Sequence, residues 1–167
     1  KSARAMAIVE IAVFDAVNSI AGDYDGYTDL PRAPRGASVE AAIAQAAHDT
    51  LNALYPSQVA AFNQVLAEDL AVIPNGPAKT QGIHVGAQAA ALILALRAHD
   101  HSELPNPPVA DYVTSTAPGI WQQDPISMIP FALGAYWGEV TPFSIPSAAR
   151  FRAPEPPALN SREYAQA

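Results

Sequence analysis

"PAKTQGIHVGAQAAALILALRAHD" runs from Pro77 to Asp100, and its reading decides the fold. Proline suits a first helical turn, because its ring fixes φ and its missing N–H falls where the turn leaves amides unpaired. The spacing therefore predicts a helix from Pro77 to about His99. Within it Gly82, Gly86 and Ala90 recur at four-residue intervals, so one side of the helix lets a neighbour approach closely. Each glycine costs the helix about 1 kcal/mol against alanine, so two of them point to a packing role and make this helix central.

Outward from it the same pattern repeats. The first 20 residues predict a helix with Met6, Val9, Val13, Ala16, Val17 and Ile20 on one face and Ile8, Ile11 and Phe14 on a second, which calls for cover on two sides. Lys1 lies at the edge of this pattern with no capping residue ahead of it, so the helix is expected to begin upstream of the chain. "AGDYDGYTDLPRAPRGA" is a loop, dense in Gly, Pro and Asp. Ser38 then caps a second helix to about Leu54, with Val39, Ile43, Ala46, Ala47, Thr50 and Leu54 as its stripe. Pro56 and Ser57 restart the chain into a third helix whose Val59, Phe62, Leu66, Leu70 and Ile73 face the core, until "PNGPAK" breaks it. Past Asp100 the composition changes: eleven of sixteen prolines lie between Pro105 and Pro157, together with Trp121 and Trp137. No helix survives that spacing, but "PGIWQQDP" and "AYWGEVTPFSIP" interleave proline with large aromatics that need burial, so the stretch reads as an ordered strap over a helical surface. At the end, Asn160 and Ser161 with Glu163 close behind open a further helix. The expected fold is all-α: about four helices bundled in 1–100, a Pro/aromatic-rich strap in 101–159 and the start of a helix in 160–167.

Composition narrows the function classes. The formal charge is −7, the only lysines are Lys1 and Lys79, and the seven arginines are scattered, which argues against nucleic acid as a partner. The absence of cysteine excludes disulfides, thiol catalysis and thiolate metal sites and leaves the compartment open. The most apolar run, Ala89 to Leu96, is far below the ~20 residues needed to cross a bilayer. Glu10 and Asp15 inside the apolar opening forbid reading it as a signal peptide.

Candidate chemistry is sparse. His84 and Gln88 form the one strongly polar strip on the Pro77 helix and read as a buried, hydrogen-bonded structural pair rather than an acid–base site. His48 points away from its helix's stripe, toward solvent or an absent partner. His99 and His101, in "HDHSE", are candidate metal ligands, although ligands two apart at a helix end specify no geometry. "DYDGYTD" resembles a calcium loop, but its glycine falls at the fourth position rather than the sixth, and Pro34 stands at the twelfth. Glu10 and Asp15 lie on a doubly apolar helix, where a buried carboxylate must find a partner; capping or ion pairing is favoured over catalysis.

Read in order, "IAVFDAVNSI", "ASVEAAIAQAAHDTLNALYPSQ", "GIHVGAQAAALILALRAHD", "PGIWQQDP" and "WGEVTPFSIPSAARFRAPEPPALNSREYAQA" resemble the amino-terminal half of bacterial proteins related to vanadium-dependent haloperoxidases. Those proteins share a superfamily with phosphatidic-acid-phosphatase-type acid phosphatases. One departure is "RAHDHSEL", where the family pattern has a glycine after the aspartate. The resemblance implies an oxyanion site built from a lysine and arginine seven apart, a Ser-Gly-His segment and a later arginine followed by a histidine, which neutralise the anion and move protons. None of these is present: Ile8 stands seven after Lys1, Gly86 seven after Lys79, and there is no Ser-Gly-His. No catalytic or cofactor-binding residue carries over. The resemblance thus implies a helical support half, inactive alone, of an enzyme that oxidises halide on bound vanadate or hydrolyses phosphate esters. "NSREYAQA" would open the next helix, and the partners would be the absent carboxyl-terminal half or another copy of the chain in a homo-oligomer. An exported location is compatible with the family. Two other readings stay open: a complete helical binding or scaffold module with the strap as its binding surface, and a small metal-binding protein using His99 and His101.

Overall fold

The computed structural model describes residues 2–113 and 115–166, so Lys1 and Ala167, at the outer edges of the expected first and last helices, lie outside the described residues. The chain is all-α and divides into two units, 1–100 and 101–167. The first holds α1 (Ser2–Ala21), α2 (Val39–Leu54), α3 (Val59–Ala71) and α4 (Pro77–Leu96); the second holds α5 (Val109–Tyr112) and α6 (Arg162–Gln166). No helix is long and apolar enough to cross a membrane among the described residues.

The α2–α4 seam organises the first unit. Ser38 begins α2 in extended conformation, its hydroxyl accepting from Ala41 N at 3.1 Å. Its own N–H donates to Ala78 O at 2.9 Å, fixing the start of α2 against the first turn of α4. The glycine spacing on α4 is then explained directly. A methyl group at Gly82 would run into the carbonyl oxygen of Ser38, and one at Gly86 into that of Ala42, with Ala46 N 2.9 Å away. Backbone meets backbone here, with Ala41, Ala42 and Ala46 on one side and Ala89 and Ala90 on the other, all buried. Small residues therefore take the inner positions of α2, and Ile43, expected in its stripe, is displaced to the surface.

α1 packs on both α2 and α4. Its buried face is Ala5, Ile8, Ala12, Asp15, Ala16 and Ser19, which lies between the two apolar faces expected from sequence. The reason is the same: alanine admits close approach, so the valine face stays half-buried while Met6 and Phe14 stay exposed. α3 follows a 3-10 turn at Pro56–Gln58 and packs on α2. Val59, Phe62, Leu66 and Leu70 are its least exposed residues, as expected, and Ile73 just past its end is half-buried with them, but none is fully buried. Its C-terminus is held by Lys79, whose ammonium donates to Leu70 O, Ile73 O and Asn75 Oδ1 and so satisfies carbonyls that the last turn leaves open.

In the second unit the prolines remove ladder donors, and turns replace regular structure. Two segments meet in an antiparallel bridge between Pro108 and Phe131, with Val109 N donating to Pro130 O at 3.0 Å and Ala132 N to Pro107 O at 2.9 Å. Asp124 folds a turn back on itself: the Ser127 hydroxyl, then the Ser127 and Ile126 amides, hold its carboxyl below the usual aspartate range. Ser161 caps α6, its hydroxyl accepting from Tyr164 N at 3.1 Å. The expectation that the strap's aromatics are buried is not met: Trp121 is 43% and Phe131 47% exposed. One pairing is made, Tyr112 against Trp121 edge to face at 5.4 Å. Short turns place too few side chains on one side to enclose a ring.

Candidate functional site

The charges buried in the first unit are concentrated where α1, the 22–33 loop and the end of α4 converge. Asp15 on α1, 2% exposed, accepts from Tyr27 N at 2.7 Å, Thr28 N at 2.8 Å and the Thr28 hydroxyl at 2.6 Å. One turn on, Asn18 accepts from Tyr24 N at 2.9 Å and donates to Tyr24 O at 2.7 Å, while Ser19 Oγ donates to Pro31 O at 3.1 Å. "DYDGYTD" is thus shaped by polar side chains of α1, which stand in for backbone partners that a Gly- and Pro-rich loop cannot supply to itself.

Tyr27 carries the network across to α4. Its hydroxyl accepts from Arg97 Nη2 at 2.8 Å. Asp100 is bound by Arg4 of α1 through Nε at 2.7 Å and Nη2 at 3.1 Å, and the same Nη2 donates to Arg97 O at 2.9 Å. Arg97 Nη1 lies 4.0 Å from the Asp100 carboxylate. Arg4 and Arg97 thus flank one carboxylate, Asp100, while neutral amide and hydroxyl donors satisfy Asp15, in a place where an uncompensated charge would be costly. Arg4 and Arg97 are therefore committed to protein acceptors, and the arrangement fastens α1, the loop and α4 rather than presenting a nucleophile.

The residues singled out in sequence fall elsewhere. His84 and Gln88 are exposed, which corrects the expectation of a buried pair: the seam runs through Gly82, Gly86, Ala89 and Ile93, and positions 84 and 88 turn away from it. His48 is also corrected. Its side chain is only 13% exposed, with Nδ1 2.7 Å from Asp49 Oδ1 and Nε2 2.8 Å from Asn63 Oδ1, so it links α2 to α3. Glu10 is exposed, whereas Asp15 finds the partners its burial demanded. His99 and His101 are both exposed, and no group of three or more His, Asp or Glu converges to hold a metal ion among the described residues. Sequence reasoning passed over Arg4, Tyr27, Arg97 and Asp100. A signal existed: positions 86, 89 and 93 form the buried stripe of α4, and Arg97 and Asp100, just past its end, keep the same three- to four-residue spacing.

A second feature is open to solvent. Between α2 and the end of α3 lies an open groove of about 590 Å³ lined by Ile43, Val72 and Ile73 together with Glu40 and Asp69. Val72 is 84% exposed. Glu40's own backbone N–H, then the Ser38 hydroxyl, hold its carboxyl below the usual glutamate range. Comparison with protein families, curated proteins and solved structures finds no match for this chain.

Proposed function

We propose that this chain is the amino-terminal helical support portion of a vanadate-dependent haloperoxidase-like or acid-phosphatase-like enzyme, with the oxyanion chemistry carried by other polypeptide. The reading rests on the ordered sequence resemblance. An observation in keeping with it is that the buried cations of the first unit, Arg4 and Arg97, are engaged with Asp100, Arg97 O and Tyr27 rather than turned toward a site for an anion. The first unit then serves as a rigid base. Its exposed Met6, Phe14 and Leu96 are surfaces for further protein. The test compares residues 1–167 with a polypeptide extended at its carboxyl terminus, in vanadate-dependent bromide oxidation and in phosphate ester hydrolysis. Activity confined to the longer protein is the expected result, and turnover by residues 1–167 alone overturns the proposal.

The groove at Ile43 and Val72 favours a second reading, a helical binding or scaffold module sufficient in itself. That reading expects residues 1–167 to be monodisperse and to unfold in one cooperative transition, and it expects no halide oxidation or ester hydrolysis on extension of the chain.

A further inference from the structure

The turn between α3 and α4 sets a reactive pair of residues beside a fixed cation. Asn75–Gly76 is the single Asn-Gly step in the chain. The side-chain amide carbon of an asparagine and the next backbone nitrogen can close a five-membered ring, and glycine leaves that nitrogen unshielded. Gly76 takes φ 156°, which residues with a Cβ rarely adopt, so the turn itself calls for glycine at this place. Its carbonyl accepts from Thr80 N at 3.2 Å and from the Thr80 hydroxyl at 3.3 Å, whereas its N–H has no acceptor among the described residues. Asn75 Oδ1 accepts from the Lys79 ammonium at 3.1 Å. That ammonium is held in turn by Leu70 O and by Ile73 O at 3.3 Å, so its place on the Asn75 carbonyl is fixed. A cation there draws electrons from the amide carbon and stabilises the negative charge that attack on the carbon places on the oxygen.

We propose that Asn75 is a self-modification site, at which the Gly76 nitrogen displaces the side-chain amide while Lys79 polarises the carbonyl. The bond from Gly76 N to Asn75 Cγ forms, the Cγ–Nδ2 bond breaks, and ammonia leaves with the proton of the backbone nitrogen. Solvent water then opens the cyclic imide at either carbonyl, which leaves aspartate or isoaspartate at position 75. The sequence consumes only water and needs no oxidant or reductant. Either product puts a new carboxylate beside Lys79 and ahead of the first turn of α4, where the helix dipole favours negative charge. Isoaspartate also lengthens the backbone of the turn that joins α3 to α4. Every contact used here is made within residues 70–80, so the site is complete inside the first unit. This proposal is independent of the enzymatic reading and stands or falls without it.

Peptide mapping by mass spectrometry during incubation of the full 167-residue chain at neutral pH tests it, with isoaspartate-specific carboxyl methylation as a second readout of the product. Conversion at Asn75 in the folded chain at least as fast as in urea is expected, because the fold keeps Lys79 on the carbonyl. Lys79→Met with unchanged helical circular dichroism should slow the native reaction roughly tenfold and leave the rate in urea as it was. Lys79→Arg should recover part of that loss, since it keeps the charge in a different shape. Asn75→Gln, whose ring would be six-membered, should form no product at this position. An Asn75 that keeps its amide while folded and loses it only in urea, or equal native rates in the wild type and in a folded Lys79→Met chain, would each overturn the proposal. Were Lys79→Met to lose helix, the comparison of native and urea rates in the wild type decides by itself.

Discussion

Gly86 shows how much one hydrogen atom in place of a methyl group decides. Alanine at this position would improve helix propensity by about 1 kcal/mol, yet its methyl would meet Ala42 O, Ala46 N and Gln45 Cβ. The clash is with backbone, which cannot rotate away. We expect Gly86→Ala to destabilise the protein by about 2 kcal/mol net, with exposed Gln88→Ala on the same helix changing stability by less than about 0.5 kcal/mol, both read by urea denaturation. This residue's role was legible in the sequence, because paired glycines inside a helix need a reason. Asp15 was half legible. A carboxylate among apolar neighbours announces that it needs donors, but those donors, Tyr27 and Thr28, sit in a loop whose path no periodicity describes. His84 misled because a polar residue beside an apolar run reads as inward until the seam is known to pass two positions away.

At the scale of elements, the helices differ in how they are held. α2 and α4 touch backbone to backbone, and α3 is attached through half-buried side chains, Lys79 at its end and His48 at its side. α1 is joined to α4 by the Arg4–Asp100–Arg97 cluster as well as by packing. Removing one member of a buried charged set leaves the others uncompensated, so Asp100→Ala should cost about 3–5 kcal/mol and should loosen α1 first. Amide hydrogen exchange is the measurement: faster exchange in α1 and at Tyr27 and Thr28 than in α2 is expected, and uniform acceleration would assign the cluster a merely global role. Helix positions and order were readable from caps and breakers. Which face turns inward was not, because in an alanine-rich bundle the closest approach is made by the smallest side chains, whereas hydropathy patterns rank the largest ones first. Ile43 and the valines of α1 were assigned to the core on that ground and lie outside it.

For the whole molecule, the two units follow different rules. Residues 1–100 obey helical periodicity, so their architecture was available in advance. Residues 101–167 are shaped by single hydrogen bonds such as Gly134 N to Asn106 Oδ1 at 2.8 Å, which no repeat anticipates. The candidate site was less legible than the fold, since it joins Arg4, Tyr27, Arg97 and Asp100 across 96 positions between its outermost residues. The seam of small residues has one more consequence. The largest side chains wholly removed from solvent are Ile8, Ile93 and Thr50, so little hydrocarbon is newly hydrated when the structure opens. Scanning calorimetry should accordingly find a heat-capacity increment below the ~12–15 cal/mol/K per residue usual for globular proteins. The stability curve would then be shallow, and cooling would weaken the fold less than it weakens one built on a thick oily centre.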